Sequence, residues 1–249
     1  MTVIKSAAEV ESMRRAGRIV ASILDRLGRE VKPGIRTQLL DSIAEEELKK
    51  AGAHASFKGY RGYPASLCVS INEEIVHGIP GERKLQEGDI VSLDFGAFFE
   101  GFHGDCAITL GVGRINATAQ QLLSTAQTAL MIGIQAVHRG VRLGDISAAI
   151  QGHVEGSGFT VVREYCGHGI GRALHEDPQV PNFGLAGNGP VLKEGMTIAI
   201  EPMVTAGDWH TEVDSINKWT VRTADKSLAA HFEHTIAITE KGAEILTIL

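Results

Sequence analysis

The chain has 249 residues, 43% hydrophobic and 22% charged, the profile of a globular protein with material for one large domain or two small ones. A net charge of −6 gives no basic field for nucleic acid, and no apolar leader core or 18-residue apolar run marks an export signal or a membrane span. Three cysteines, Cys68, Cys106 and Cys166, are too few, and odd in number, for a disulfide framework, so the expected setting is a reducing cytoplasm.

Ser6-Ala7-Ala8-Glu9 is the sequence of a capping box, in which hydroxyl and carboxylate each satisfy a free N–H of the first turn. Behind it Val10, Met13, Ala16, Ile19, Val20, Ile23, Leu24 and Leu27 recur at helical steps, and Pro33-Gly34 stops the helix. Thr37 is the expected N-cap of a second helix through Leu40, Ile43 and Leu48, ending near Gly52. Glycines and tyrosines over 59–63 predict a loop, and Leu67–Ile71 and Ile75–His77 predict short extended pieces. Glu87-Gly88-Asp89 turns the chain into a strand over Ile90–Leu93 that is expected to end on Asp94, with Ala107–Leu110 as the next strand. Thr118 opens a second helical region through Leu122, Ala126, Leu130, Ile134 and Val137.

Two phrases repeat. Leu85–Asp94 returns as Leu192–Glu201 at an offset of 107 residues, with Asp94 matched to Glu201. Val31–Arg36 returns as Val137–Arg142 at an offset of 106. The chain therefore reads as an internal duplication, roughly 7–112 and 118–247, treated as one domain over 1–249 because no composition shift marks a linker. Each half runs helix, helix, then strands. Two α+β halves about a pseudo-two-fold, strands inside and helices outside, fit that order.

A strand that twice delivers a carboxylate suggests half of a metal site, made twice. Asp105 and Glu233 join Asp94 and Glu201, each in a Phe-containing phrase before a β-branched run, FHGDCAIT and FEHTIAIT. Four carboxylates brought together in an apolar interior would repel and would be costly to desolvate, and divalent cations between them remove both problems. Oxygen-rich ligation with an imidazole or two suits Mn, Fe or Co better than a thiolate zinc site. Taken singly, each acid reads as a solvated turn residue; the duplicated context is what favours ligation. His168 lies in a glycine-rich turn, His175 follows seven residues on, and His77 precedes Gly78. Most other histidines, such as His138, His153 and His210, read as ordinary loop residues, and Phe98, Phe99 and Phe102 as core. GHGIGR lacks the third glycine of a dinucleotide loop, position 179 is Gln where a second zinc-binding His would stand after His175-Glu176, and there is no Walker lysine or G-x-S-x-G elbow.

The phrases NEEIVHGIP, DFGAFFEGFHGD, CGHGIGRALHEDPQVPNF, LKEGMTIAIEP and HFEHTIAIT, in that order, resemble the type I methionine aminopeptidases. The resemblance implies the pita-bread fold, an internally duplicated α+β domain with a central antiparallel sheet and helices on its outer face. It implies two divalent metals, with Asp105 and Glu233 bridging both, Asp94 completing one shell and His168 and Glu201 the other. It implies substrate contacts from His77 and His175, proton acceptance by Glu201, and a methionine slot walled by Tyr60, Tyr63, Cys68 and Trp219. The implied reaction is removal of the initiator methionine from nascent polypeptide N-termini by a cytoplasmic monomer in transient contact with the ribosome, with no membrane and no direct nucleic-acid specificity. The span from His168 to Glu233 lacks the long insertion of type II enzymes, and no Cys-paired extension precedes the domain. Cys106 and Leu174 depart from the residues often found at their positions. The rival readings are an aminopeptidase P or prolidase, which usually carries an additional N-terminal domain, and a non-catalytic pita-bread module, which would have lost metal ligands.

Overall fold

The computed structural model describes residues 2–249. In chain order these form α1 (Ala7–Gly28), α2 (Thr37–Ala51), β1 (His54–Ala55), β2 (Leu67–Ile71), β3 (Glu74–Val76), β4 (Ile90–Phe99), β5 (Phe102–Gly111), α3 (Ala117–Gln135), α4 (Leu143–Gly156), β6 (Thr160–Val161), β7 (Gly167–Gly169), β8 (Glu176–Val180), β9 (Thr197–Ile200), β10 (Met203–Thr205), β11 (Thr211–Val213), β12 (Val221–Thr223), β13 (Ala229–His231), β14 (Glu233–Thr239) and β15 (Gly242–Ile245). A single 3₁₀ turn, Tyr60–Gly62, interrupts the loop before β2.

The Ser6–Glu9 capping box forms as expected. The predicted stripe is the buried face of α1: Met13, Val20, Ile23, Leu24 and Leu27 are all nearly inaccessible. Burying each such side chain contributes about 1.5–3 kcal/mol. Two helix starts shift. The N-cap of α2 is Arg36, because the Thr37 hydroxyl is taken by Gly81, whose N–H it accepts at 2.8 Å. Asn116, not Thr118, caps α3, its side chain accepting from Ala119 N–H at 2.8 Å.

The main sheet is antiparallel throughout and runs β1-β4-β5-β14-β9-β7-β8, with β2 on the free edge of β4 and β15 on β14. One apolar core lies between α1, α2 and the β2-β4-β5 sheet, and a larger one gathers α3, α4, β9 and β14. The helices pack on the sheet and leave its other face to the residues considered below.

Strand β4 does not end on Asp94. It continues five residues, pairing Phe95↔Cys106 through Phe99↔Phe102, because the hairpin turns at Glu100-Gly101. Both turn residues have positive φ, 49° and 85°, the geometry of a type I′ loop, which suits the twist of a long hairpin. Asp94 therefore sits mid-strand, with Cys68 and Ala107 as its cross-strand partners.

Strands β5 and β14 meet directly at only two positions, Glu233↔Ala107 and His234↔Cys106. On either side the same register continues through threonine hydroxyls. Thr235 Oγ1 accepts from Asp105 N–H (3.0 Å) and donates to Asp105 C=O (2.8 Å). Thr109 Oγ1 accepts from His231 N–H (2.9 Å) and donates to His231 C=O (2.7 Å). Each hydroxyl spaces the strands while satisfying both backbone groups. Asp105 and Glu233, both on this seam, line the cavity described below.

Candidate metal centre

The centre assembles from register. Asp94 and Glu233 both stand opposite Ala107, and Asp105 is two residues from Ala107, on the same face of β5. The pair His234↔Ile200 carries Glu233 alongside Glu201, the residue that follows β9. His168 comes from β7, tied to β9 through Gly169↔Ile198. The predicted glycine-rich turn is thus a short buried strand. Its glycines are required because a Cβ on Gly167 would stand 2.3 Å from Ala199 C=O, and one on Gly169 2.3 Å from Asp177 C=O.

All five expected ligands line one cavity, together with His77, His175, Tyr60, Tyr63, Cys68 and Trp219, so every site residue expected from the sequence is brought together. The cavity is also lined by Phe57, Arg61 and Leu174. Leu174 is one of the two departures in sequence; Phe57 and Arg61 lie in the loop before β2 and carry no local sign of a site. A further residue escapes sequence reading altogether: His231, 1% exposed, with Nε2 3.3 Å from Glu201 Oε2. His231 closes β13 while Glu233 opens β14, so no periodicity along one strand links the two.

The electrostatics demand a cation. Asp94 Oδ1, Asp105 Oδ1 and Glu233 Oε1 are buried with no hydrogen-bond partner. Burial, reinforced by neighbouring carboxylates, pushes the Asp105 and Glu233 carboxyls well above the usual range, and burial carries Asp94 up to about 7. Burial also opposes ionisation of Glu201, but the adjacent His231, His168 and His175 overcome it, so this carboxyl is held below its ordinary value. His168 Nδ1 lies 2.9 Å from Gly169 C=O, which can only accept, so Nδ1 carries the proton. Nε2 then faces Glu201 Oε1 at 3.6 Å. Ligating atoms of Asp105, His168 and Glu233 lie within 4.8 Å of one another, and so do those of Glu201, His231 and Glu233. Oxygen-rich donors with an imidazole oriented by a backbone carbonyl fit a borderline divalent metal.

The flanking histidines are held by packing. His77 has φ 60°, an uncommon left-handed conformation for a residue with a side chain. The turn is fixed by Gly78, where a Cβ would stand 2.1 Å from Val69 C=O. The His77 ring meets Trp219 and Tyr165 edge-on at 6.2 and 6.0 Å. His175 is stacked on Tyr60 (5.2 Å) and lies against His168 (4.2 Å). Burial lowers both flanking imidazoles, His175 to about 4 with help from His168, so each is neutral near pH 7. The turn bearing His175 is braced from the start of the chain: buried Lys5 Nζ donates to Glu176 Oε2 at 2.5 Å, and Glu176 Oε1 accepts from Ala173 N–H at 3.2 Å.

Beside the acids the lining turns apolar. Tyr63 donates its hydroxyl to Gly78 C=O at 2.8 Å, and its ring meets Trp219 edge-on at 5.2 Å. Burial raises both the Tyr63 phenol and the Cys68 thiol, so neither carries charge. The turn carrying Trp219 is fixed by Asn217 Oδ1, which accepts from Trp219 and Thr220 N–H. Arg222 anchors that turn through Asp214 (2.6 Å) and the buried Glu74 (3.4 Å).

Residues 11–240 match the model of metallopeptidase family M24. The chain belongs to metallopeptidase family M24. It is 53% identical over 247 residues to methionine aminopeptidase 1 of Bacillus subtilis strain 168, covering 99% of each chain. The crystal structure of Thermotoga maritima methionine aminopeptidase superposes with a TM-score of 0.98 at 48% identity, covering all of both chains. Prolidase from Pyrococcus furiosus shares the fold at a TM-score of 0.80 and 23% identity, with this chain spanning 66% of it. The fold is the pita-bread fold that the sequence resemblance implied. Membership of M24 accounts for a centre built for divalent metal. Among the described residues no helix is long and apolar enough to cross a membrane.

Proposed function

We propose that this chain is a methionine aminopeptidase that removes the initiator methionine from nascent polypeptides, using two divalent metals held by Asp94, Asp105, His168, Glu201 and Glu233. The observation that carries the reading is the convergence of orphaned carboxylate oxygens on one cavity with His168, in a chain similar along its length to methionine aminopeptidases. By the family resemblance Asp105 and Glu233 would be the ligands shared between the metals, Asp94 would serve one, and His168 and Glu201 the other; all five line the one cavity.

When bound, the metals supply Lewis acidity, which polarises a carbonyl and makes water a nucleophile near neutral pH. The protein does the rest. Glu201, ionised at neutral pH, accepts a proton from the attacking water. Neutral His175, clamped between Tyr60 and His168, donates an N–H to the oxyanion that develops on the scissile carbonyl. His77 orients the peptide near the leaving nitrogen. The uncharged walls formed by Tyr63, Cys68 and Trp219 take the thioether side chain, and the acids favour a free α-ammonium. That preference makes the reaction an exopeptidase step. A substrate presented as it leaves the ribosome fits a cytoplasmic enzyme in transient ribosome contact, and the family resemblance implies a monomer.

The test is hydrolysis of Met-Ala-Ser against Ala-Pro peptides by protein reloaded anaerobically with Fe(II), Mn(II) or Co(II). Release of free methionine from the first alone is expected. Faster cleavage of Ala-Pro would reassign the chain to X-Pro hydrolysis, and no cleavage of either would make it a binding module.

A further inference from the structure

Behind Glu201 stands a buried imidazole that the mechanism above does not use. His231 closes β13, is 1% exposed, and neither of its ring nitrogens completes a hydrogen bond. Its Nε2 lies 3.3 Å from Glu201 Oε2, within range but off the line of a hydrogen bond. The other oxygen of that carboxylate faces His168 Nε2 at 3.6 Å. Glu201 is thus set between two imidazoles, one on the cavity side and one behind.

The ring of His231 is not left there by loose packing. Its backbone is fixed in both directions by Thr109, as described, and Thr109 Oγ1 is itself 2.8 Å from Ser92 Oγ. The Glu201 backbone is fixed too, its carbonyl accepting from Asn182 Nδ2 at 3.0 Å. A buried ring nitrogen left without a partner is destabilising, and Glu201 is the acceptor within reach of Nε2.

We propose that His231 is a positioning residue for Glu201: its Nε2–H closes on Oε2 and fixes the carboxylate plane, so that Oε1 presents its lone pair to the metal and to the water proton. The inference rests on the reading of Glu201 as a metal ligand. It assigns the work to one ring nitrogen, which amide substitutions can separate. The glutamine of His231→Gln would place its amide near the Nε2 position, whereas the shorter asparagine of His231→Asn reaches only to the place of Nδ1. A third variant, His231→Leu, lacks any donor.

Metal-free wild type and the three variants are titrated with Mn(II) by calorimetry. Thermal midpoints are recorded, and kcat and KM are measured on Met-Ala-Ser. Outer-shell partners of metal ligands typically tune metal affinity by about 10–100-fold. His231→Gln is expected within about threefold of wild type in Mn(II) affinity and kcat. His231→Asn and His231→Leu are expected to bind Mn(II) about 10–100-fold more weakly, with kcat at least about tenfold lower and KM within about twofold. Wild-type affinity and kcat in His231→Leu and His231→Asn overturn the proposal. A His231→Gln variant as impaired as His231→Leu also overturns it, making the ring a direct ligand. If His231→Leu does not fold, the Gln and Asn pair decides alone. A wild type that does not bind Mn(II) overturns the metal reading itself, a distinct failure.

Discussion

At the residue scale, the account depends on what each carboxylate is asked to do. On the proposed reading Glu201 is at once a ligand and the proton acceptor, so Glu201→Ala should lower kcat for Met-Ala-Ser by at least about 100-fold while circular dichroism stays native. Normal turnover would remove Glu201 from the mechanism. His77 touches no acid in the centre, so His77→Ala should cut kcat about tenfold or more and leave the metal content of the purified protein unchanged. Unchanged kcat would take His77 out of the reaction. The four acids were legible because a charged residue beside an apolar β-branched run is conspicuous, after it for Asp94 and Glu201 and before it for Asp105 and Glu233, and because Asp94 and Glu201 sit in copied phrases. His231 was not legible: it gains its partner through the pairing Met203↔His231 and the position of Glu201 just before β10, a juxtaposition of strands that no local pattern encodes. The two walls Phe57 and Arg61 escaped for a similar reason, since the loop that holds them is placed by packing rather than by periodicity.

At the scale of elements, helical stripes announced the helices, and two starts moved by a residue or two: α2, where the Thr37 hydroxyl is engaged by Gly81, and α3, where Asn116 rather than Thr118 caps the first turn. Strand lengths were underestimated because the outer half of the β4-β5 hairpin is held by cross-strand pairs, which leave no mark on either strand alone. The duplicated phrases also have matching hydrogen bonds. Gly34 N–H donates to Leu85 C=O (2.7 Å) and Leu85 N–H to Ile35 C=O (2.9 Å). In the second half Gly140 N–H donates to Leu192 C=O (3.2 Å) and Leu192 N–H to Val141 C=O (2.8 Å). We infer from these a single domain of two related halves. The brace from Lys5 to Glu176 gives a prediction at this scale. Lys5→Met leaves a buried carboxylate unpaired, a loss of about 3–5 kcal/mol. The thermal midpoint should fall by about 10 °C, and kcat should fall because the His175 turn is released. An unchanged midpoint would show that the ion pair does not hold the turn.

For the whole molecule, clustering acids in one cavity links folding, metal and pH. The folded-state carboxyls of Asp94, Asp105 and Glu233 are raised, so between the usual carboxylate range and about 7 the folded apo protein holds protons that the unfolded chain has lost. The lowered imidazoles of His77, His103, His175 and His234 work the other way up to about pH 6.5, so apo stability should fall as pH rises from about 6.5 to about 8. Metal binds the ionised acids and competes with those protons, so saturating Mn(II) should raise the midpoint more at about pH 8 than at about pH 5.5. Thermal denaturation of apo and Mn(II)-loaded protein across that range checks both trends; an apo form more stable at about pH 8 than at about pH 6.5 would contradict the first. The most direct measurement of the central claim is anomalous diffraction from crystals grown with Mn(II). The account predicts two strong peaks, both enclosed by Asp94, Asp105, His168, Glu201 and Glu233. Peaks elsewhere, or none among these five side chains, would contradict it.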